Sequence, residues 1–98
     1  MLVNVVFNEE EMDLDIIDVP GFLVDEIDSI QQAFLNWLFD ESNNHNYWKC
    51  INGIKCCAYG TEEFVIWIND NYLIESDEKV VIVSRQFTEL NNNITIYF

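Results

Sequence analysis

Apolar and polar residues recur in short blocks along this chain, and one block is longer than the rest. In residues 22–41, "FLVDEIDSIQQAFLNWLFDE", Leu23, Ile27, Ile30, Phe34 and Leu38 fall at helical spacing and make one continuous stripe. Ala33 and Trp37 widen it, and Asp25, Ser29, Gln32, Asn36 and Asp40 line the opposite, wet side. Asp25, Glu26 and Asp28 sit in the first turns, where the helix dipole favours anions. The spacing predicts one long amphipathic helix, ended by "SNNHN".

Shorter blocks predict strands. "LVNVVF", residues 2–7, is β-branched and short, and Glu9, Glu10 and Glu11 after it read as a solvated turn. "DLDIID" fits a second short strand, with Asp13 and Asp15 on one face and Leu14 and Ile16 on the other. Pro20 and Gly21 then stop the strand and start the helix. In the second half, "YWKCI" and "IKCCAY" flank Asn52-Gly53, a strong type I′ hairpin signal. A two-residue turn there sets Ile51 against Ile54, Cys50 against Lys55 and Trp48 against Cys57.

"FVIWI" is expected as the next strand on its Val and Ile content, although Phe64, Trp67, Ile68 and Tyr72 also fit a helical stripe with Thr61 as its cap. "VVIVSRQF", residues 80–87, and "ITIYF" at the end complete a β-meander, with "ELNNN" as the loop between them. The expected architecture is a single α+β domain over 1–98: one long helix packed on an antiparallel sheet.

Charge changes the picture more than composition does. Half of the 98 residues are hydrophobic, enough for a core without metal or disulfides, yet 18 Asp and Glu face 4 Lys and Arg, for a net charge of -14. Abundant Asn and Ile suggest AT-rich coding, which ordinarily also supplies Lys, but only Lys49, Lys55 and Lys79 occur. The stretch 8–29 holds Glu9, Glu10, Glu11, Asp13, Asp15, Asp18, Asp25, Glu26 and Asp28 with no Lys or Arg, interleaved with apolar residues that a disordered acidic tail would lack. Such a chain repels nucleic acid and anionic lipid and attracts basic surfaces.

Catalytic and metal chemistry is poorly supplied. The one histidine, His45, lies in a polar loop with no positioned nucleophile. His45, Cys50, Cys56 and Cys57 number four donors, but adjacent Cys56 and Cys57 diverge on a strand, and the spacing matches no common zinc site. Asp13, Asp15 and Asp18 fail the calcium-loop pattern, because Ile17 and Asp18 stand where a ligand and a glycine belong. Asp77-x-Lys79 matches a fragment of metal-dependent nucleases that chance readily supplies. With three glycines there is no phosphate loop. No cofactor is expected, and neither an enzyme nor a direct nucleic-acid binder. The odd cysteine count, the lack of a basic stretch ahead of the first apolar run and the lack of an ~18-residue apolar span lead to the expectation of a cytoplasmic protein with no membrane segment.

What remains is protein–protein binding. By analogy of size, charge and compartment, the first expectation is an immunity protein that neutralises a basic toxin, a nuclease for instance. Glu9, Glu10, Glu11, Asp13, Asp15, Asp18, Asp25, Glu26 and Asp28 would meet the partner, and Trp37, Trp48 and Tyr72 would anchor it where exposed. The alternative is a phage nucleic-acid mimic of the anti-restriction or anti-CRISPR type, which would occupy a nucleic-acid-binding host protein. A third is a small metabolite-binding domain.

Overall fold

A computed structural model describes residues 1–7, 14–89 and 91–98. The chain runs β1 (Leu2–Val6), β2 (Leu14–Asp18), α1 (Gly21–Val24), α2 (Ile27–Leu38), β3 (Trp48–Ile51), β4 (Ile54–Cys57), α3 (Thr61–Tyr72), β5 (Val81–Phe87) and β6 (Ile94–Tyr97). Helices and sheets both contribute, as α+β requires, but the arrangement is not one long helix on an antiparallel meander. Four strands form a mixed sheet in the order β5-β2-β1-β6, in which β1 pairs antiparallel with β2 and parallel with β6. Strands β3 and β4 form a separate two-stranded sheet.

The stripe of the expected long helix holds: Leu23, Ile27, Ile30, Phe34 and Leu38 are all buried. The helix itself is broken after one turn. Leu23 and Glu26 donate N–H bonds to carbonyls three residues back, on Pro20 and Leu23, and the regular ladder resumes with Ile30 N–H to the Glu26 carbonyl at 2.9 Å. The helix also stops at Leu38, earlier than polarity alone indicated. Side chains take up its last carbonyls: Asn43 Nδ2 donates to Trp37, while His45 Nε2 and Cys57 Sγ reach Leu38.

The main correction concerns "FVIWI", residues 64–68, expected as a strand although a helical stripe also fitted, and found within α3. Glu63 accepts the Gly60 N–H at 2.8 Å, which starts the helix locally. Phe64, Val65 and Ile68 then turn to the core together at helical spacing. Packing one apolar face outweighs the β-propensity of Val and Ile, a preference that depends strongly on context. The Asn52-Gly53 hairpin is as expected. Both turn residues have positive φ, 52° and 80°, and the register pairs Ile51 with Ile54, Cys50 with Lys55 and Trp48 with Cys57.

Both faces of the large sheet hold buried residues. Val3, Val5, Ile17 and Ile96 join the helices in the main core. Asn4 and Ile16, paired across β1 and β2, are also buried but on the other face. The β5–β6 connection meets this face at Asn4. It must pass from one edge of the sheet to the other, and on the way Asn91 and Asn93 engage Asn4. Asn4 Nδ2 donates to Asn91 Oδ1 at 2.8 Å and to Thr95 Oγ1 at 3.1 Å, and Asn93 Nδ2 donates to Asn4 Oδ1 at 3.4 Å. A buried amide is thereby satisfied on both ends.

Phe34 is the hub of the core. Its ring is fully buried and lies within 5.2 Å of Phe64, 5.5 Å of Trp67, 5.8 Å of Tyr59 and 6.2 Å of both Trp37 and Phe98, centroid to centroid. Phe34→Ala is expected to cost about 3–5 kcal/mol in denaturant unfolding, as for a fully packed aromatic residue. A loss below about 1 kcal/mol would mean that α2 does not seat this ring in the core.

Candidate partner-binding surface

Glu9, Glu10, Glu11 and Asp13 lie outside the described residues. The other five expected contact residues do not share one environment. Asp15 is half-buried and already occupied: Thr61 Oγ1 donates to its Oδ2, and the Gln86 N–H donates to its Oδ1 at 3.2 Å. This carboxylate ties β2 to α3 and to a bulge in β5, where Gln86 takes a positive φ of 54°. Asp18 is exposed and paired with the Met1 amino group at 2.9 Å. Asp25, Glu26 and Asp28 are exposed at the α1–α2 turn, and among the described residues no cation pairs with them.

Few cations are spent on carboxylates. Among the described residues the ion pairs are Met1–Asp18 and Arg85–Glu62, the latter at 3.6 Å with both groups largely exposed. Such a surface pair contributes little. Lys79 donates instead to the Leu73 carbonyl, and the Lys55 ammonium stands 4.4 Å above the Trp48 ring. At the end of α2, Ser42 donates to Asp40 through its hydroxyl and its N–H, and these bonds hold the Asp40 carboxyl below the usual carboxylate range.

The aromatic residues are more organised than the sequence disclosed. Tyr72, Trp67, Trp37, His45 and Trp48 form a row, with successive centroids 5.7, 6.1, 4.6 and 5.1 Å apart. Of the expected anchors, Tyr72 is exposed, and Trp37 and Trp48 are half-buried. Trp67 was not foreseen, because its place in the row depends on α3 being a helix. His45 is a strut in this row. Its Nε2 lies 2.7 Å from the Leu38 carbonyl, which can only accept, so Nε2 carries the proton and Nδ1 accepts the Tyr47 N–H at 3.2 Å. Trp48 Nε1 donates to the Asn43 carbonyl at 2.7 Å, which holds the hairpin against the loop after α2.

Tyr47 stands beside the row. Burial pushes its phenol above the ordinary value, and the negative charges of Glu63, Asp70 and Glu62 push it further. Tyr59 is raised in the same way by burial and by Cys57. Among the described residues no group of three His, Cys, Asp or Glu side chains is placed to hold a metal ion, and no helix is long and apolar enough to cross a membrane. Compared with protein-family models, curated proteins and solved structures, the chain matches none.

The three thiols differ in environment. Cys50 is exposed, whereas Cys57 is half-buried against Leu38, and its thiol is pushed above the ordinary value of 9.0 by burial first and by neighbouring Cys56 second. A raised value leaves less thiolate at any given pH, so iodoacetamide at about pH 8 should alkylate Cys50 first and Cys57 last. Mass spectrometry of timed samples reads the order. Equal rates at the two sites would mean that the hairpin does not dock on the end of α2.

Proposed function

We propose that this chain is a small acidic binding protein that occludes a basic protein, acting as an immunity protein toward a toxin whose substrate-binding surface carries Lys and Arg. The observation that carries the reading is the set Asp25, Glu26 and Asp28: exposed, adjacent at one turn and unpaired among the described residues, in a chain of net charge -14. A carboxylate cluster of this kind lowers the stability of the isolated protein through repulsion and speeds encounter with a basic partner. The aromatic row supplies apolar surface near more carboxylates, as lasting affinity requires. In this reading the protein binds and blocks, and it performs no chemistry.

The nucleic-acid mimic has less support. Mimicry calls for charge repeated along an extended face, but between Asp28 and Asp40 the outer side of α2 carries Gln32 and Asn36, hydrogen-bonded to each other at 3.0 Å. A metabolite-binding domain calls for an enclosed pocket. Among the described residues, the cavity lined by Met1, Asp18, Val19, Pro20, Gly21, Glu78 and Lys79, about 370 Å³, is partly open to solvent.

The test begins with affinity capture from an extract of the source organism at low salt, followed by titration of the captured protein's activity. The reading expects a basic partner inhibited at a one-to-one ratio. Asp25→Asn, Glu26→Gln and Asp28→Asn combined should keep the fold and slow association about ten-fold at low salt. That loss should shrink as salt approaches about 0.15 M, where the Debye length is about 8 Å. Equal on-rates for wild type and variant at low salt would contradict the steering role.

A further inference from the structure

The row of rings has two different ends. At the hairpin end the protein supplies its own cation, since Lys55 stands over Trp48, whose ring stacks within 8° of parallel on His45. At the other end Trp67 and Tyr72 lie 5.7 Å apart with their planes crossing at 65°, Tyr72 41% exposed. Glu63 and Asp70 stand four residues before and three residues after Trp67, so all three share one stripe of α3. Glu63 spends one oxygen on the Gly60 N–H, and Asp70 is exposed. Among the described residues neither is paired with a cation.

Half-exposed indole and phenol rings framed by unpaired carboxylates are electrostatically complementary to a flat cation. The ring faces carry the negative side of the quadrupole, and the carboxylates can pair with the N–H groups. We propose that the Trp67–Tyr72 end of the row, with Glu63 and Asp70, is a docking site for an arginine side chain of the basic protein partner. Arginine fits better than lysine because its guanidinium stacks on a ring while its edge pairs with a carboxylate. The proposal rests on the binding role argued above and names the residue of the partner that this surface takes. It also divides the labour: Asp25, Glu26 and Asp28 draw the partner in, and Trp67 and Tyr72 hold it.

The probe is a short acetylated and amidated Gly-Arg repeat peptide, titrated at low salt into the ¹⁵N-labelled chain. Its citrulline and lysine counterparts serve as controls. Citrulline keeps the shape of arginine without the charge. The arginine peptide should shift the indole N–H of Trp67 and the backbone amides near Tyr72. Asp70→Asn with Tyr72→Ala, two exposed positions that leave the core intact, should weaken the arginine peptide roughly five-fold or more. The combined variant at Asp25, Glu26 and Asp28 should leave the Trp67 shift in place, and the citrulline peptide should shift nothing. Lysine and arginine peptides of equal affinity would overturn the assignment to arginine. Shifts confined to residues 25–28 would overturn this site while leaving the acidic binding role standing. Shifts at neither place would count against both.

Discussion

The packing of Phe34 between α2, α3 and the end of the chain fixes nearly everything else in this molecule. Its ring meets Phe64 and Trp67 from α3, Trp37 from its own helix, Tyr59 from the β4–α3 connection and Phe98 after β6. A side chain that touches this many elements sets their mutual positions by shape, because interiors are as dense as crystals and tolerate few voids. The aromatic row is the outward continuation of the same contact. Trp37 and Trp67 touch Phe34 on one side and reach the surface on the other. Core and candidate docking surface are therefore one structure, held at the depth where ring packing gives way to water.

Apolar packing must carry the fold because electrostatics works against it. Among the described residues Lys79 bonds a carbonyl, Lys55 covers a ring and Arg85 meets an exposed carboxylate. Among the described members of the expected contact set, Asp15 is drawn into the fold through Thr61 and the Gln86 N–H, and Asp18 pairs at the surface with the Met1 amino group. The Asp15 contrast is informative. A carboxylate needed for the fold is hydrogen-bonded and half-buried, whereas Asp25, Glu26 and Asp28 are left in water. Among the described residues, the carboxylates at 25–28 are thus a property of the surface, set apart from what builds the core.

Several elements were legible in the sequence because local chemistry decided them. Leu23 to Leu38 repeat at helical spacing and are buried, and Asn52-Gly53 closes the hairpin with two positive φ angles. The rest depended on partners distant in sequence. Residues 64–68 carry strand-forming side chains, and packing against Phe34 and the sheet, with the local start at Gly60 and Glu63, makes them a helix. Parallel pairing of β6 with β1 joins opposite ends of the chain, which periodicity within a segment does not encode. The period-two reading set Leu14 and Ile16 on one face of β2. Both Ile16 and Ile17 are buried, on opposite faces, and on the Ile16 face Asn91 and Asn93 bond the neighbouring Asn4, a contact from far along the chain. Of the candidate surface, the exposed carboxylates at 25–28 and the anchor Tyr72 were readable by residue type, and Trp67 was not, since it joins them only through α3.

The central claim is that this protein leaves its negative charge uncompensated within its own fold and presents it outward. The most direct measurement is the melting temperature as sodium chloride rises from about 10 mM to about 0.15 M, over which the Debye length shortens from roughly 30 Å to about 8 Å. Screening repulsion between unpaired carboxylates should raise the melting temperature steadily across that range. A melting temperature that stays flat or falls would show that the carboxylates are balanced inside the fold, and would contradict the account.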